Sequence, residues 1–362
     1  MLGAADVFAG VAGAVHDDRG LLHVGNPLRE QQLLERGAAL AALGDRAVVT
    51  VAGPDRLSWL DSLTSQAVAG LQPGESTELL VLDPNGRVEH AASVVDDGET
   101  TWLITDADRV AALTTWLTRM RFRLRVEITD RSAETAVVGG ATSAVADLTA
   151  RAVWRDPWPD VTVGGWGYAA SEGHPATGRD WAEAVVDTSE LERLAAQVRA
   201  GERAIAGRLA ADALRIAAWR PRPSAEADGM TLPHEVDWLR TAVHLSKGCY
   251  RGQETVAKVH NLGHPPRRLV ALQLDGSDAV LPEPGASVHH GDDEVGRITS
   301  VARHFEQGPI ALALVKRSVP VDAPLVVQVD DEAVAAVQET VVPPTAGREA
   351  APPRLPRLSR RT

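Results

Sequence analysis

Residues 78–105 read ELLVLDPNGRVEHAASVVDDGETTWLIT. Two turn signals cut this stretch into three apolar, strand-like runs. Pro84-Asn85-Gly86 is the stronger, because an Asn-Gly pair tolerates positive φ. Asp96-Asp97-Gly98 turns the chain a second time. Consecutive strands joined by tight turns must pair antiparallel, and no glycine-rich phosphate loop follows any of them. The segment therefore argues against a βαβ nucleotide-binding fold.

Working outward, Pro27–Leu43 carries a helical signal, with proline near its start and Gly44 behind it. Ala47–Val51 reads as a strand. Arg56–Leu63 reads as a helix with Trp59, Leu60 and Leu63 on one side. Downstream, Ala107–Met120 reads as a helix and Leu124–Ile128 as a strand. Ala136–Val138 and Val161–Val163 read as short strands. Ser189–Trp219 is mostly helical in pattern, weakened at Gly201 and Gly207. Glu235–Val243 and Gln253–Val259 read as short helices. His264-Pro265-Pro266 is the clearest boundary. Beyond it, short strands separated by Gly, Pro and Asp turns predict a small antiparallel barrel or sandwich. Pro343–Thr362, with several prolines and five arginines against one acid, reads as a basic, disordered tail. The expected divisions are 1–135, 136–264, 265–343 and 344–362.

Composition narrows the class. With 362 residues, 44% hydrophobic and 24% charged, the chain is a soluble globular protein with room for two or three domains. A net charge of −12 argues against general affinity for nucleic acid. A single cysteine excludes an intrachain disulfide and a metal site built from several thiolates of this chain. The reducing cytoplasm is the expected compartment. Asp6, Asp17, Asp18 and Glu30 interrupt the first thirty residues, which lack the pattern of a secretory signal. Neither a membrane span nor a metal site is expected; His289-His290 would point to opposite faces of a strand.

The chemistry concentrates in Lys247-Gly248-Cys249-Tyr250-Arg251-Gly252-Gln253-Glu254-Thr255. Glycines at 248 and 252 allow sharp turns or close approach. Lys247, Arg251 and the start of a helix near Gln253 would favour a thiolate at Cys249. The competing reading is an inert, buried cysteine in a tight turn. His244 and His260 flank the segment, and the spacing requires neither as a base.

KGCYRGQE at 247–254 resembles the signature of the YgfZ proteins, folate-binding relatives of the glycine cleavage T-protein, an aminomethyltransferase. Stretches 49–74, 214–239 and 295–317 are similar to other parts of that family, so the resemblance spans roughly residues 10–343. It implies an α+β, folate-binding body in two parts around a central channel, followed by a small antiparallel β-barrel. It also implies a tetrahydrofolate-binding accessory protein that supports assembly or repair of iron–sulfur proteins, tRNA-modifying enzymes among them. Its partners would be folate and iron–sulfur client or carrier proteins, and the chain is expected to be a monomer.

The resemblance makes Cys249 the key functional residue. Folate contacts are expected from Arg215, Glu226, Glu235, Lys247, Gly248, Tyr250, Gly252, Gln253 and Glu254. The chain departs from the T-protein itself at two acidic positions. Where that protein has an Asp-Asp pair, this chain has His90 and Ala91, with Glu89 one place off. Where it has a pterin-binding glutamate and a glycine after an arginine, this chain has Ala217 and Trp219 after Arg215. A neutral pterin edge presents donors that carboxylates accept, so these losses argue against glycine cleavage. The alternatives are a tetrahydrofolate-dependent aminomethyl- or methyltransferase and a non-catalytic binding module.

Overall fold

The computed structural model describes residues 7–170, 172–277, 280–329 and 332–350. Among them the chain forms a two-stranded ribbon, two five-stranded sheets and a closed six-stranded barrel. The first sheet is ordered Ser76–Leu82, Val88–Asp96, Thr100–Asp106, Arg46–Ala52, Glu127–Asp130. The hairpins anticipated at 78–105 form three consecutive strands of this sheet, whose pairings are all antiparallel. The second sheet is ordered Ala150–Arg155, Ala182–Asp187, Thr135–Gly140, Ala39–Ala42, Ala204–Ala206. Every neighbouring pair of barrel strands is antiparallel. The α+β body with a C-terminal antiparallel barrel is as expected.

Several local expectations give way to tertiary pairing. The helix expected over Pro27–Leu43 ends at Glu35. Gly37 turns the chain at φ +67, and Ala39–Ala42 becomes a strand between Thr135–Gly140 and Ala204–Ala206. Alanines that favour a helix in isolation fit a fully buried strand when partners lie on both sides. This strand also carries the early chain into the second sheet, so residue 135 is not a clean division between the two parts.

Ser189–Trp219 is two helices, Thr188–Arg199 and Arg208–Ala217, with a strand at Ala204–Ala206 between them. A Cβ at Gly207 would lie 2.2 Å from the Leu22 carbonyl oxygen, so this break is set by close packing. Glu235–Val243 is not a helix: one 3-10 turn, Pro233–Val236, stops at Asp237, whose φ is +58. Val161–Val163 is not a strand. Instead Thr162 N and Trp166 N donate to the carbonyls of Arg240 and Leu239, so the two irregular segments satisfy each other.

The barrel is fastened to the body by buried carboxylates. Glu235 is fully buried and accepts from Arg267 N, Nε and Nη2 and from Leu232 N. Glu226, also fully buried, accepts from Thr299 Oγ1, Ser300 Oγ and Arg222 N. Residues 343–350, expected to begin a disordered tail, dock instead on the helix Gln253–Leu262. The backbone N–H groups of Arg348, Glu349 and Ala350 donate to the carbonyls of Val259, His260 and Asn261, satisfying the helix end. The remainder of the expected tail, 351–362, lies outside the described residues.

Removing one partner of a buried ion pair strands the other. Glu235→Ala should therefore lower stability by about 3 kcal/mol, read as a shift in urea midpoint with little change in slope.

Candidate functional site

The KGCYRGQE loop hangs on the first hairpin. Gly252 starts the helix Gln253–Leu262 at φ +83, and a Cβ there would sit 2.5 Å from Asp83 O. A Cβ at Gly86, the turn glycine at φ +76, would meet Thr255 at 2.9 Å. The loop and the Asn85-Gly86 turn are thus in close contact, and both glycines are sterically required. Gly248 differs: no atom lies within 4 Å of its would-be Cβ.

Lys247 and Tyr250 form the anchored base of the loop. The Lys247 side chain is 3% exposed, and its Nζ donates to the carbonyls of Asp61, Thr64 and Gln66. Burial pulls its pKa down, with Asp61 opposing. The Tyr250 ring packs in the core beneath that ammonium, 5.6 Å from it, and burial pushes its phenol upward. Gln253 Nε2 donates to Lys247 O at 3.3 Å, closing the loop on itself. Arg251 pairs with Glu89 at 2.7 Å. Glu254 is exposed in the first turn of the helix.

Cys249 itself is exposed. The expectation of a buried cysteine in a tight turn is therefore not met. The flanking cations are engaged elsewhere: Lys247 points its ammonium at three carbonyls and Arg251 its guanidinium at Glu89. Neither nearby histidine bonds the sulfur. A Cβ at Gly164 would lie 2.4 Å from the His244 ring, and His260 Nδ1 faces Tyr168 Oη at 3.3 Å. No group of three or more His, Cys, Asp or Glu side chains could hold a metal among the described residues.

A second feature lies between the sheets. A cavity of about 80 Å³ is lined by Arg46, Arg179, Arg215, Arg220 and Arg222, by Glu78, Asp156, Glu183 and Asp212, and by Trp154, Trp181 and Trp238 among others. Arg220 grips Glu78 through two bonds of 3.1 and 2.7 Å. Arg46 links Asp106 to Glu183. Arg222 joins Asp45 and Asp106, and these guanidinium groups hold Asp106 well below the usual carboxylate range against the opposing effect of burial. Asp45 Oδ1 is buried without a partner. Arg179 and Trp181 also line an outer cleft of about 450 Å³, whose wall includes Ala217 and His304.

Of the residues expected to contact folate, Arg215 lines this cavity. Glu226 and Glu235 do not; their oxygens are engaged by barrel strands and neighbouring backbone. Lys247, Gly248, Tyr250, Gly252, Gln253 and Glu254 belong to the cysteine loop. Ala91 lines the cavity, whereas the His90 ring meets Trp116 at 6.2 Å. Glu89 sits at a bulge, where the register with Ser76–Leu82 shifts between His90 and Val88, and reaches Arg251 at the loop. Trp219 is held at φ +56, a conformation suited to the glycine of the T-protein motif, and packs edge-on against His174. Sequence reading missed the inner ring of arginines and carboxylates. The Arg-Pro-Arg-Pro run at 220–223 was its one local signal.

Two predictions follow from these environments. Lys247→Met should free the loop from its three carbonyl anchors and speed limited proteolysis within 244–252, read by mass spectrometry. Separately, burial lowers His90 and His174 to about 4 and His234 to about 3. Each folded pKa is below the unfolded value of about 6.5, so their stabilisation is complete above that pH and is lost as pH falls through the folded values. Asp237, raised by burial to about 7, acts in the opposite sense over the same range, one group against three. The urea midpoint should fall between pH 6.5 and 4, less steeply in His90→Gln.

Comparison with known proteins places these features. Residues 267–344 match the glycine cleavage T-protein C-terminal barrel domain. The crystal structure of glycine cleavage system aminomethyltransferase T from Bartonella henselae superposes with a TM-score of 0.70 at 17% identity, covering 93% of this chain and 96% of that one. The mitochondrial iron–sulfur cluster assembly factor IBA57 homolog of Mycosarcoma maydis is 27% identical over 270 residues, 70% of this chain and 60% of that protein. Mouse mitochondrial IBA57 is 34% identical over 127 residues, 33% of this chain and 34% of that protein. The chain thus spans three fifths or less of each of these two curated relatives. It carries a glycine cleavage T-protein C-terminal barrel domain at residues 267–344, has the fold of that aminomethyltransferase, and is similar in sequence to IBA57 proteins.

Proposed function

We propose that this chain is a tetrahydrofolate-binding accessory factor that supports the assembly or repair of iron–sulfur proteins, with Cys249 as the group that meets the client. The observation that carries this reading is the contrast within the loop: the sulfur is exposed, while Lys247 and Tyr250 on either side are buried and anchored. Such a base holds a thiol at the surface in a defined place. The names of the IBA57 relatives supply the cluster-assembly part of the reading. One cysteine contributes one thiolate, so a cluster held between this chain and a client takes its remaining ligands from the client.

The donor set of the inner cavity suits the head group of a folate. Tryptophans offer flat apolar walls, and carboxylates beside guanidinium groups match a ring edge that both donates and accepts. Glu183 and Asp212 would accept from the ring, Arg46 and Arg215 would donate to it, and the tail would run past Arg179 and Trp181 into the outer cleft. When bound, tetrahydrofolate would supply a one-carbon carrier. Aminomethyl transfer is the weaker reading, because Ala91 and Ala217 stand where the T-protein pattern has carboxylates.

Deleting the gene should lower iron–sulfur dehydratase activities under oxidative stress. The wild-type chain should restore them and Cys249→Ser should not. Unchanged activities in the deletion would refute the role, and full rescue by the serine variant would show the thiol to be dispensable. Calorimetric titration with tetrahydrofolate should give saturable binding, weakened about tenfold or more in Glu183→Gln by loss of a charged acceptor. No saturable binding would remove folate from the reading.

A further inference from the structure

The end of the helix Val110–Met120 and the loop that leads from it into the edge strand Glu127–Asp130 read Arg119-Met120-Arg121-Phe122-Arg123-Leu124-Arg125. This stretch concentrates four arginines and no acid in a chain whose net charge is −12. Among the described residues, no acidic side chain pairs with Arg119, Arg121 or Arg123. Arg125 pairs with Asp55 at 2.7 Å, yet its side chain stays 74% exposed. Phe122 is 78% exposed and Leu124 43%.

The loop is anchored at both ends. Trp59 Nε1 donates to Met120 O at 3.1 Å, and Arg125 O approaches Gly53 so closely that a Cβ there would sit 2.2 Å away. Phe122 has φ +48, an unfavourable conformation for a bulky residue, and its ring stands in solvent. Beside it lies a depression of about 490 Å³ lined by Ala52, Gly53 and residues 121–127.

We propose that this loop is a docking surface for an acidic protein partner that offers an apolar recess for Phe122. Arginine and aromatic side chains together are the usual anchors of protein interfaces. The cationic patch is one loop wide within an acidic chain. A nucleic acid would have to extend its phosphates over the repelling surroundings. An anionic membrane would meet those surroundings as a flat sheet, and the adjoining helix Val110–Met120 already buries Leu113 and Leu117 in the body. A compact acidic patch on another protein faces neither problem. The surface belongs to the sheet edge opposite the hairpin against which the Cys249 loop packs, so it can fail without affecting the proposal for that cysteine.

The test uses the full chain and three fluorescent probes: a short glutamate-rich peptide with two central leucines, an oligouridylate, and phosphatidylserine-containing vesicles. The peptide should bind, and added salt should weaken it. Arg119→Glu, Arg121→Glu and Arg123→Glu combined should weaken it about tenfold or more, and Phe122→Gly about fivefold or more. Glycine suits the backbone at 122, so that variant keeps the fold, checked by an unchanged melting temperature. Absence of peptide binding, insensitivity to these substitutions, or tighter binding of the oligouridylate or vesicles at the same residues would overturn the proposal.

Discussion

A charge taken out of water must be paired, and the space between the two sheets is organised by that requirement. Arg46 on the first sheet reaches Glu183 on the second, and Trp154 on the second donates to Thr77 O on the first. Arg220 satisfies Glu78 and Asp156 together. These links are directional, so they fix how the sheets face each other, whereas apolar packing alone would leave that orientation looser. They also prevent the sheets from closing completely. The inner cavity follows from packing guanidinium groups and carboxylates where a wholly apolar interface would have collapsed.

The same principle attaches the barrel. Glu226 and Glu235 are the acids that sequence reading offers for a pterin, and both are used as fasteners. Glu226 holds two barrel hydroxyls, and Glu235 holds the backbone and guanidinium of Arg267 at the first barrel strand. Attachment of the barrel in turn places residues 343–350 over the end of the helix that begins at Gly252. The cysteine loop is thus braced by the hairpin turn at its start and by the C-terminal segment through its helix. A thiol on such a support can stay exposed without the loop losing its shape.

Much of this was legible in the chain. Asn85-Gly86 and Asp96-Asp97-Gly98 marked the hairpins because their turn chemistry is local. The boundary at His264-Pro265-Pro266 separated the barrel for the same reason. The loop at 247–254 stood out through its glycines, cations and lone cysteine. Local signals misled where a distant partner decided the outcome. Ala39–Ala42 became a strand because two strands from later in the chain flank it. Asp237 stopped a helix because the segment around it satisfies the loop at 162–166.

The sequence by itself determined the α+β body, the C-terminal barrel and the identity of the loop worth testing, since turns, periodicity and a compact motif act over a few residues. Only the tertiary structure decided which charges line the cavity, which acids seal the barrel and which cations are already engaged beside Cys249. A side chain's electrostatic role depends on neighbours brought together from distant positions: Glu183 beside Arg46, Glu235 beside Arg267, and Lys247 against the carbonyls of Asp61, Thr64 and Gln66.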